Sequence, residues 1–420
     1  MTDPPTEHKE HDVARLGAIA DDLTGATDQA IALTTAGYRT AVVVGAEEVP
    51  AITDVDAVVL ALKSRSAPVN QAVTDSLRAL ELLRNLDCDR FYFKYCSTFD
   101  STPQGNIGPV AEALLDEIGG PGTIYCPAFP ANGRTVYRGH LFVGNDRLDE
   151  SPMRHHPLNP MTDSSIVRWL DAQTAAPVDL VPLEVVRQGP AAVREAMDSR
   201  MTQGSRHIVM DAVMDDDIAT VAEATTHLPL VTGGSALGFA LDGPMTSAVT
   251  TISAPGPYGL VLSGSAAQAT QEQVRHGLET GTGLRLDPTR LRADLDTAVT
   301  DTVEQMLSAH SAPFVVYATK DPSDVHDTAH SAVLEEALAA IASRLVDGAG
   351  VRALLVAGGE TSGAVVSTLG VSHVLMGPAV DPGVAWGRAV RFDGEDVMLL
   401  LKSGNFGGPD LFSRAWETFR

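Results

Sequence analysis

Cysteine is scarce: Cys88, Cys96 and Cys126 are the only three in 420 residues. They are too few and too scattered for a disulfide framework or a zinc cluster. Cations are short as well, 30 Lys and Arg against 54 Asp and Glu, which leaves a net charge of −24. So acidic a surface repels nucleic acid and anionic membranes. Any site for an acidic substrate must therefore gather its few cations locally. No apolar run approaches the length of a membrane span, and the opening MTDPPTEHKEHD lacks an apolar signal core. A soluble, cytoplasmic protein is expected, without nucleic-acid or membrane partners and with a homodimer left open. The chain lacks a GxGxxG dinucleotide fingerprint, a GxxxxGKS/T loop and the protein-kinase signatures, which argues against a dehydrogenase and excludes a standard P-loop or protein kinase. It has no internal repeat, coiled coil or low-complexity segment.

What is present is ample apolar material. Apolar residues make up 44% and charged residues 20%, enough for a well-buried core, and the length suggests two domains. Short apolar runs alternate with helical periodicities along the chain. That pattern implies an α/β fold: two domains, each a largely parallel sheet flanked by helices, with the active site in the cleft between them. Residues 1–14 read as a disordered leader and 15–242 as the first domain. The Gly, Pro, Ser and Thr-rich stretch 243–257 reads as a linker, and 258–420 as the second domain.

The second domain carries phosphate-binding chemistry. Ala353–Ala357 reads as a buried strand, Gly358-Gly359 as a tight turn, and Glu360, Thr361 and Ser362 lead into a helix. Strand, glycine turn and helix N-terminus form an anion site, because the first N–H groups and the positive dipole end point at the guest. Ser263-Gly264-Ser265 and Lys402-Ser403-Gly404-Asn405 follow two further apolar strands in the same way. Glu360 makes little sense against a phosphate. Ribose hydroxyls, or a metal reached through water, suit it better.

The first domain offers carboxylates and hydroxyl-reading groups. Asp21 and Asp22 end the first strand, ahead of Thr24-Gly25 and a helix. One could be a plain N-cap, but two in a row favour a site that orients a hydroxyl, accepts its proton or holds hydrated Mg²⁺. Lys63-Ser64-Arg65-Ser66 supplies a cation after the third strand. The stretch from Lys94 to Gly108 is the densest polar segment, and Lys94 at the end of an apolar strand has no bland explanation. Asn132, Arg134 and His140 are candidates for substrate contact. The irregular stretch Ser151–Thr162 is too long for a simple connection and reads as a functional loop. Its adjacent His155 and His156 diverge and find no third ligand, so structural or solvent-facing histidines are expected.

Phosphate cradles beside a hydroxyl-reading pocket suggest phosphoryl transfer from a nucleotide to a small hydroxylated acid. The segments IADDLTGA, KYCSTFDSTPQGNIGPV, CPAFPANGRTVYRGHLFVGN, HPLNPMTD, GGETSGAVV and LKSGNFGGPDLF resemble the four-carbon acid sugar kinases, in matching order over nearly the whole chain. The longer motifs resemble the 3-oxo-tetronate branch. The resemblance implies a sugar-acid-binding N-terminal domain, a nucleotide-binding C-terminal domain, and ATP with Mg²⁺ used to phosphorylate the 4-hydroxyl of a four-carbon sugar acid. It also implies ATP contacts at Ser263, Gly358, Gly359, Glu360, Thr361 and Gly404; Ser265 and Asn405 join them from the turns themselves. Threonate and erythronate kinases of the family tend to carry a DSTLRGN-like motif where this chain has FDSTPQGN, which favours the 3-oxo substrate. Threonate or erythronate remains the alternative substrate, and a non-catalytic sugar-acid sensor the alternative of another class. For substrate contacts the expectation is Asp22 as base or orienter of the attacking hydroxyl, with Asp21 beside it. Arg65 and Lys94 are expected on the carboxylate, Asp100 and Ser101 on hydroxyls, and Ser97, Asn106 and Arg134 nearby. The metal ligands stay unassigned.

Overall fold

The computed structural model describes residues 15–45, 52–156, 159–244, 259–309, 313–324 and 328–419. The expected leader, most of the expected linker and two residues of the Ser151–Thr162 stretch lie outside them. Eighteen strands are present among these residues. The first half holds β1 (Arg15–Ala20), β2 (Thr40–Val44), β3 (Ala57–Ala61), β4 (Cys88–Lys94), β5 (Thr123–Cys126), β6 (Arg134–Tyr137), β7 (His140–Val143), β8 (Asp146–Arg147), β9 (Val178–Val181), β10 (His207–Met210) and β11 (Leu230–Gly233). The second holds β12 (Leu260–Ser263), β13 (Thr282–Arg285), β14 (Phe314–Tyr317), β15 (Ala353–Ala357), β16 (Val371–Asp381), β17 (Val384–Arg391) and β18 (Asp396–Lys402).

The apolar runs become the central parallel strands. Every residue of β3 and β15 is buried, as strands covered on both faces require. The helices between them show one buried stripe. In Val69–Asn85 it is Ala72, Ser76, Ala79, Leu80 and Leu83, the spacing of a helix laid on a sheet. Strands β6 to β8 form a separate small antiparallel sheet.

The two halves do not keep separate sheets. Fifteen strands form one sheet in the order β13-β14-β12-β15-β18-β17-β16-β2-β3-β1-β4-β11-β5-β10-β9. The seam is β16 against β2, antiparallel, with Val374 opposite Val42. Each edge strand thereby covers the other's open N–H and C=O groups. One apolar core runs through both halves, from Leu16 to Leu401. A second, on the other face of the second half, centres on Trp386, with Trp416 at 5.0 Å and Phe419 at 4.8 Å between ring centroids.

Because the seam is antiparallel, the parallel strands of the two halves meet it in opposite senses. Six strand steps separate β1 from β15. At about 20–25° of twist per step they turn one end of the sheet by roughly 120–150° against the other. The carboxyl ends of β1 and β15 consequently face one another: a Cβ on Gly359, just past β15, would lie 2.7 Å from the Thr24 hydroxyl, just past β1.

Candidate active site

Asp22 is both cap and site residue. It is the N-cap of the helix Leu23–Thr35, and its Oδ1 accepts from the Gly25 N–H at 2.6 Å. Its Oδ2 lies 2.9 Å from Arg65 Nη1. Asp21 grips the same guanidinium twice, at 2.9 Å from Nε and from Nη2, the strongest geometry for such a pair. Asp100 stands 4.0 Å from Arg65 Nη1 on its open side. Three carboxylates thus surround one guanidinium.

The scaffold fixes that cation. The Asp21 carbonyl accepts from the Ser64 and Arg65 N–H groups at 3.0 and 3.2 Å. Asn106 donates to the Ser64 carbonyl at 2.7 Å and to that of Ala67 at 3.2 Å. Asn106 therefore holds the turn that presents Arg65 and does not line the cavity. Phe99 and Asp100 both have positive φ, 61° and 21°, backbone strain of the kind stored at functional sites. Asn159 donates to Asp100 Oδ1 at 3.1 Å, and His156 Nδ1 lies 3.6 Å away.

Lys94 lies beneath this cluster, buried, with Nζ donating to the Tyr95 carbonyl at 3.0 Å. A Cβ on Gly25 would sit 2.5 Å from Asp22 Oδ1 and 3.3 Å from Lys94 Nζ. Only glycine admits the ammonium so close to the helix start. One turn further, Asp28 accepts a hydrogen bond from Ser235, while its shielded Oδ1 has no partner among the described residues. Burial pushes the Asp22 carboxyl above its ordinary range, against the pull of Arg65, and Asp21 adds to the rise. Burial likewise raises Asp28, against the pull of Lys94 and the Ser235 bond.

Across the cleft, the glycine turns of the second half close on one another. Gly358 has φ 127°, open only to glycine. A Cβ on Gly264 would fall 2.0 Å from Thr361 Oγ1, and one on Gly404 2.5 Å from Ser265 Oγ. The helix begins at Gly359, earlier than the sequence reading placed it, so the N–H groups of Gly359 to Thr361 are its free first turn. The Ser263 and Ser362 hydroxyls are buried without partners among the described residues. Orphaned hydroxyls in a glycine cradle at a helix N-terminus fit a phosphate group.

A cavity of about 660 Å³ joins the two sides, with Asp21, Asp22, Arg65 and Asp100 facing Gly359 and Glu360. The sequence reading anticipated all six. Lys94, Ser97, Ser101, Asn106 and Arg134 do not line it. Ser101 takes a hydrogen bond from Gln173 at 3.0 Å, Ser97 lies against the Gly234 turn, and Arg134 donates to the Asn132 carbonyl at 2.6 Å in the small sheet. His140 pairs with Ser164 at 2.9 Å. Of the cradle residues, Ser263 and Thr361 are buried, Gly358, Ser265 and Gly404 pack together, and Asn405 is exposed. The rest of its lining, Leu23, Thr24, Lys63, Ser66, Ala67, His156, Asn159 and Gly363, was not among the candidate site residues. His155 faces solvent, and His156 is half-buried, accepting from the Asn159 N–H at 3.1 Å beside Asp100. A larger, mainly apolar cavity of about 820 Å³ lies between the halves near Ile31, Phe129, Pro382 and Phe406. No described helix is long and apolar enough to cross a membrane.

Comparison with known proteins accords with this division. Residues 16–241 match a family model described as a sugar-binding N-terminal domain, and residues 260–412 one described as a nucleotide-binding C-terminal domain. A 3-oxo-tetronate kinase of Cupriavidus necator is 45% identical over 95% of this chain and 96% of that protein. One from Haemophilus influenzae is 40% identical over 96% of this chain and 100% of that protein. Among solved structures, a Salmonella typhimurium protein, provisionally named as a tRNA synthase, superposes with a TM-score of 0.90 at 38% identity, over 97% of this chain and all of that one. A Haemophilus influenzae protein does so with 0.82 at 39%, over 96% and 100%.

Proposed function

The chain belongs to the four-carbon acid sugar kinase family, and from that premise we propose that it uses ATP to phosphorylate the 4-hydroxyl of 3-oxo-tetronate. The observation that carries the reading is the cavity itself, where the Asp22 carboxylate faces the free first turn of the helix Gly359–Thr368. In the proposed reaction the substrate's 4-oxygen attacks the γ-phosphorus. The bond from phosphorus to the β,γ-bridging oxygen breaks, ADP leaves, and the hydroxyl proton passes to Asp22. Such a transfer needs mainly positioning and charge neutralisation. Gly359 and Thr361 offer N–H groups to the phosphates, and Glu360 lies at the ribose or metal side.

Arg65, held on one edge by Asp21, keeps its Nη1 side toward the cavity between Asp22 and Asp100. There it would meet the substrate's carboxylate. Lys94 would act from below, holding the charge of Asp22 rather than touching substrate. Asp100, fixed by Asn159, would accept a substrate hydroxyl. Among the described residues, no group of three or more His, Cys, Asp or Glu could hold a metal ion. Magnesium commonly takes one or two carboxylates and completes its shell with phosphate oxygens and water, a role that Glu360 fits. When bound it would neutralise the developing phosphate charge.

The test of the reading is ADP release from Mg-ATP with 3-oxo-tetronate, D- and L-threonate, D- and L-erythronate and glycerate. A large preference for 3-oxo-tetronate is expected. Preference for threonate or erythronate would keep the kinase and discard the substrate. Binding without turnover of any of them would favour a sensor.

A further inference from the structure

Lys402 ends β18 with its side chain 2% exposed. Its Nζ donates to Gln273 Oε1 at 2.7 Å, Thr270 Oγ1 at 2.8 Å and the Gly404 carbonyl at 3.2 Å. All three acceptors are neutral. A buried ammonium is normally retained with an anion beside it, and none of the described groups supplies one. The helix Gln268–Thr280 turns Thr270, Gln273 and Val274 toward this core, while its Glu272 takes the Gln268 amide at 3.1 Å. From β17, Trp386 pairs with Leu400, two residues before Lys402 on the same strand. Asp381, at the end of β16, and Asp410, in the C-terminal segment, are both engaged by Arg414, at 2.7 and 3.3 Å.

The place of this charge is as telling as its isolation. The Lys402 carbonyl accepts from the Gly358 N–H at 2.9 Å, so the residue is tied to the phosphate cradle by its backbone. Thr270 also donates to the Gly404 carbonyl, at 2.6 Å, and Gln273 Nε2 donates to the carbonyls of Phe406, Gly407 and Gly408 at 3.0, 2.8 and 3.1 Å. Four carbonyls of the turn are thereby drawn toward the helix. In a trans peptide the N–H points opposite to the C=O, so the N–H groups of Asn405 and Gly407, which follow the Gly404 and Phe406 carbonyls, face away from it, the orientation an anion requires; the Gly408 N–H is taken by Asp381 Oδ2 at 2.8 Å, and Pro409 has none.

We propose that Lys402 is a positioning residue of the nucleotide site, whose buried charge holds the Gly404 turn open to phosphate and is itself balanced by the bound phosphate chain. The inference rests on the nucleotide reading of the cradle. Desolvation pulls the free ammonium down to about 7, and a phosphate nearby favours the charged form. Nucleotide binding above neutral pH is therefore accompanied by proton uptake at Lys402.

The experiment is titration calorimetry of the full chain with ADP alone, from pH 7.5 to 9, in buffers of different ionisation enthalpy. ADP is then fully ionised and contributes no proton of its own. Wild type is expected to take up close to one proton and to lose affinity up to tenfold per pH unit. Lys402→Met should bind on the order of tenfold more weakly near neutral pH, without uptake. Lys402→Arg, charged throughout, should bind without uptake and without the pH slope. Wild-type binding with no proton uptake would overturn the role of Lys402 and leave the cradle standing. No ADP binding by wild type would overturn the nucleotide reading itself. Should neither variant fold, the wild-type proton count decides.

Discussion

At the scale of single residues, Asp22 does two jobs that can be separated. Asparagine caps a helix as well as aspartate does, so Asp22→Asn keeps the Gly25 hydrogen bond and removes only the carboxylate's charge and basicity. If Asp22 takes the hydroxyl proton, kcat should fall by on the order of 10²-fold or more. Near-normal turnover in the folded variant would assign the residue to the cap alone. The pH dependence follows from the raised carboxyl. The base works only when ionised, so kcat/KM should fall away as pH drops through a value above the ordinary carboxylate range. Stability runs the other way. The folded state holds this proton more tightly than the unfolded chain, so stability falls as pH rises from the unfolded carboxyl's value to the folded one, and the full cost is present above that. At pH 7 the Asp22→Asn protein should therefore melt no lower than wild type, provided Asp21 keeps its two bonds to Arg65. A lower melting temperature would mean that the bond to Arg65 outweighs the cost of burying the charge. The residue scale is also where the sequence was least legible. Asp28 of the helix Leu23–Thr35 turns its carboxylate to Ser235, which stands 207 positions away. Nothing local announces that pairing. His156 was read by its adjacency to His155, when what matters is Asp100 across the loop.

At the scale of elements, the glycine turns of the second half are steric parts as well as flexible ones. Gly359→Val would drive a Cβ into Thr24 Oγ1, 2.7 Å away, and push the helix N-terminus off the cavity. ADP affinity should drop on the order of tenfold or more with unchanged far-ultraviolet circular dichroism. Thr24→Ala in the same chain should restore part of it, because the clashing hydroxyl is gone. Unchanged affinity in the single variant would reduce the turn to a structural feature. Most elements were visible in sequence because buried parallel strands are plain apolar runs, as in Ala353–Ala357 and Val397–Leu401. Those that escaped carry mixed signals. Strand β13 is a short, mostly exposed edge strand, without an apolar face to betray it. The hairpin of β16 and β17 contains Gly377-Pro378 and turns at Pro382-Gly383, punctuation that reads as loop, and register shifts near Met376 and Ala379 absorb the interruption.

At the scale of the whole molecule, the seam decides how the halves work together. Two sheets were expected and one continuous sheet is found. Sequence reveals that β2 is an apolar strand, but not that one of its neighbours comes from more than 300 residues later. Backbone bonding across β2 and β16, with the helix Leu23–Thr35 packed over both, couples the sugar side to the nucleotide side mechanically. Unfolding should therefore be cooperative, a single calorimetric transition that ADP shifts upward as a whole. Val374 faces Val42 at the seam and is 2% exposed. Val374→Asp would bury an unpaired charge there, at a cost of about 3–5 kcal/mol, while touching neither the carboxylate cluster nor the cradle. The variant should melt in two transitions, of which ADP raises only the one belonging to the second half. It should retain ADP affinity within a few-fold and lose most turnover, because the Asp22 carboxylate and the Gly359 helix start would no longer be held face to face. Two separate transitions already in wild type would show that the seam is a contact without coupling. The facing of the two strand ends would then have to be restored by substrate and nucleotide together.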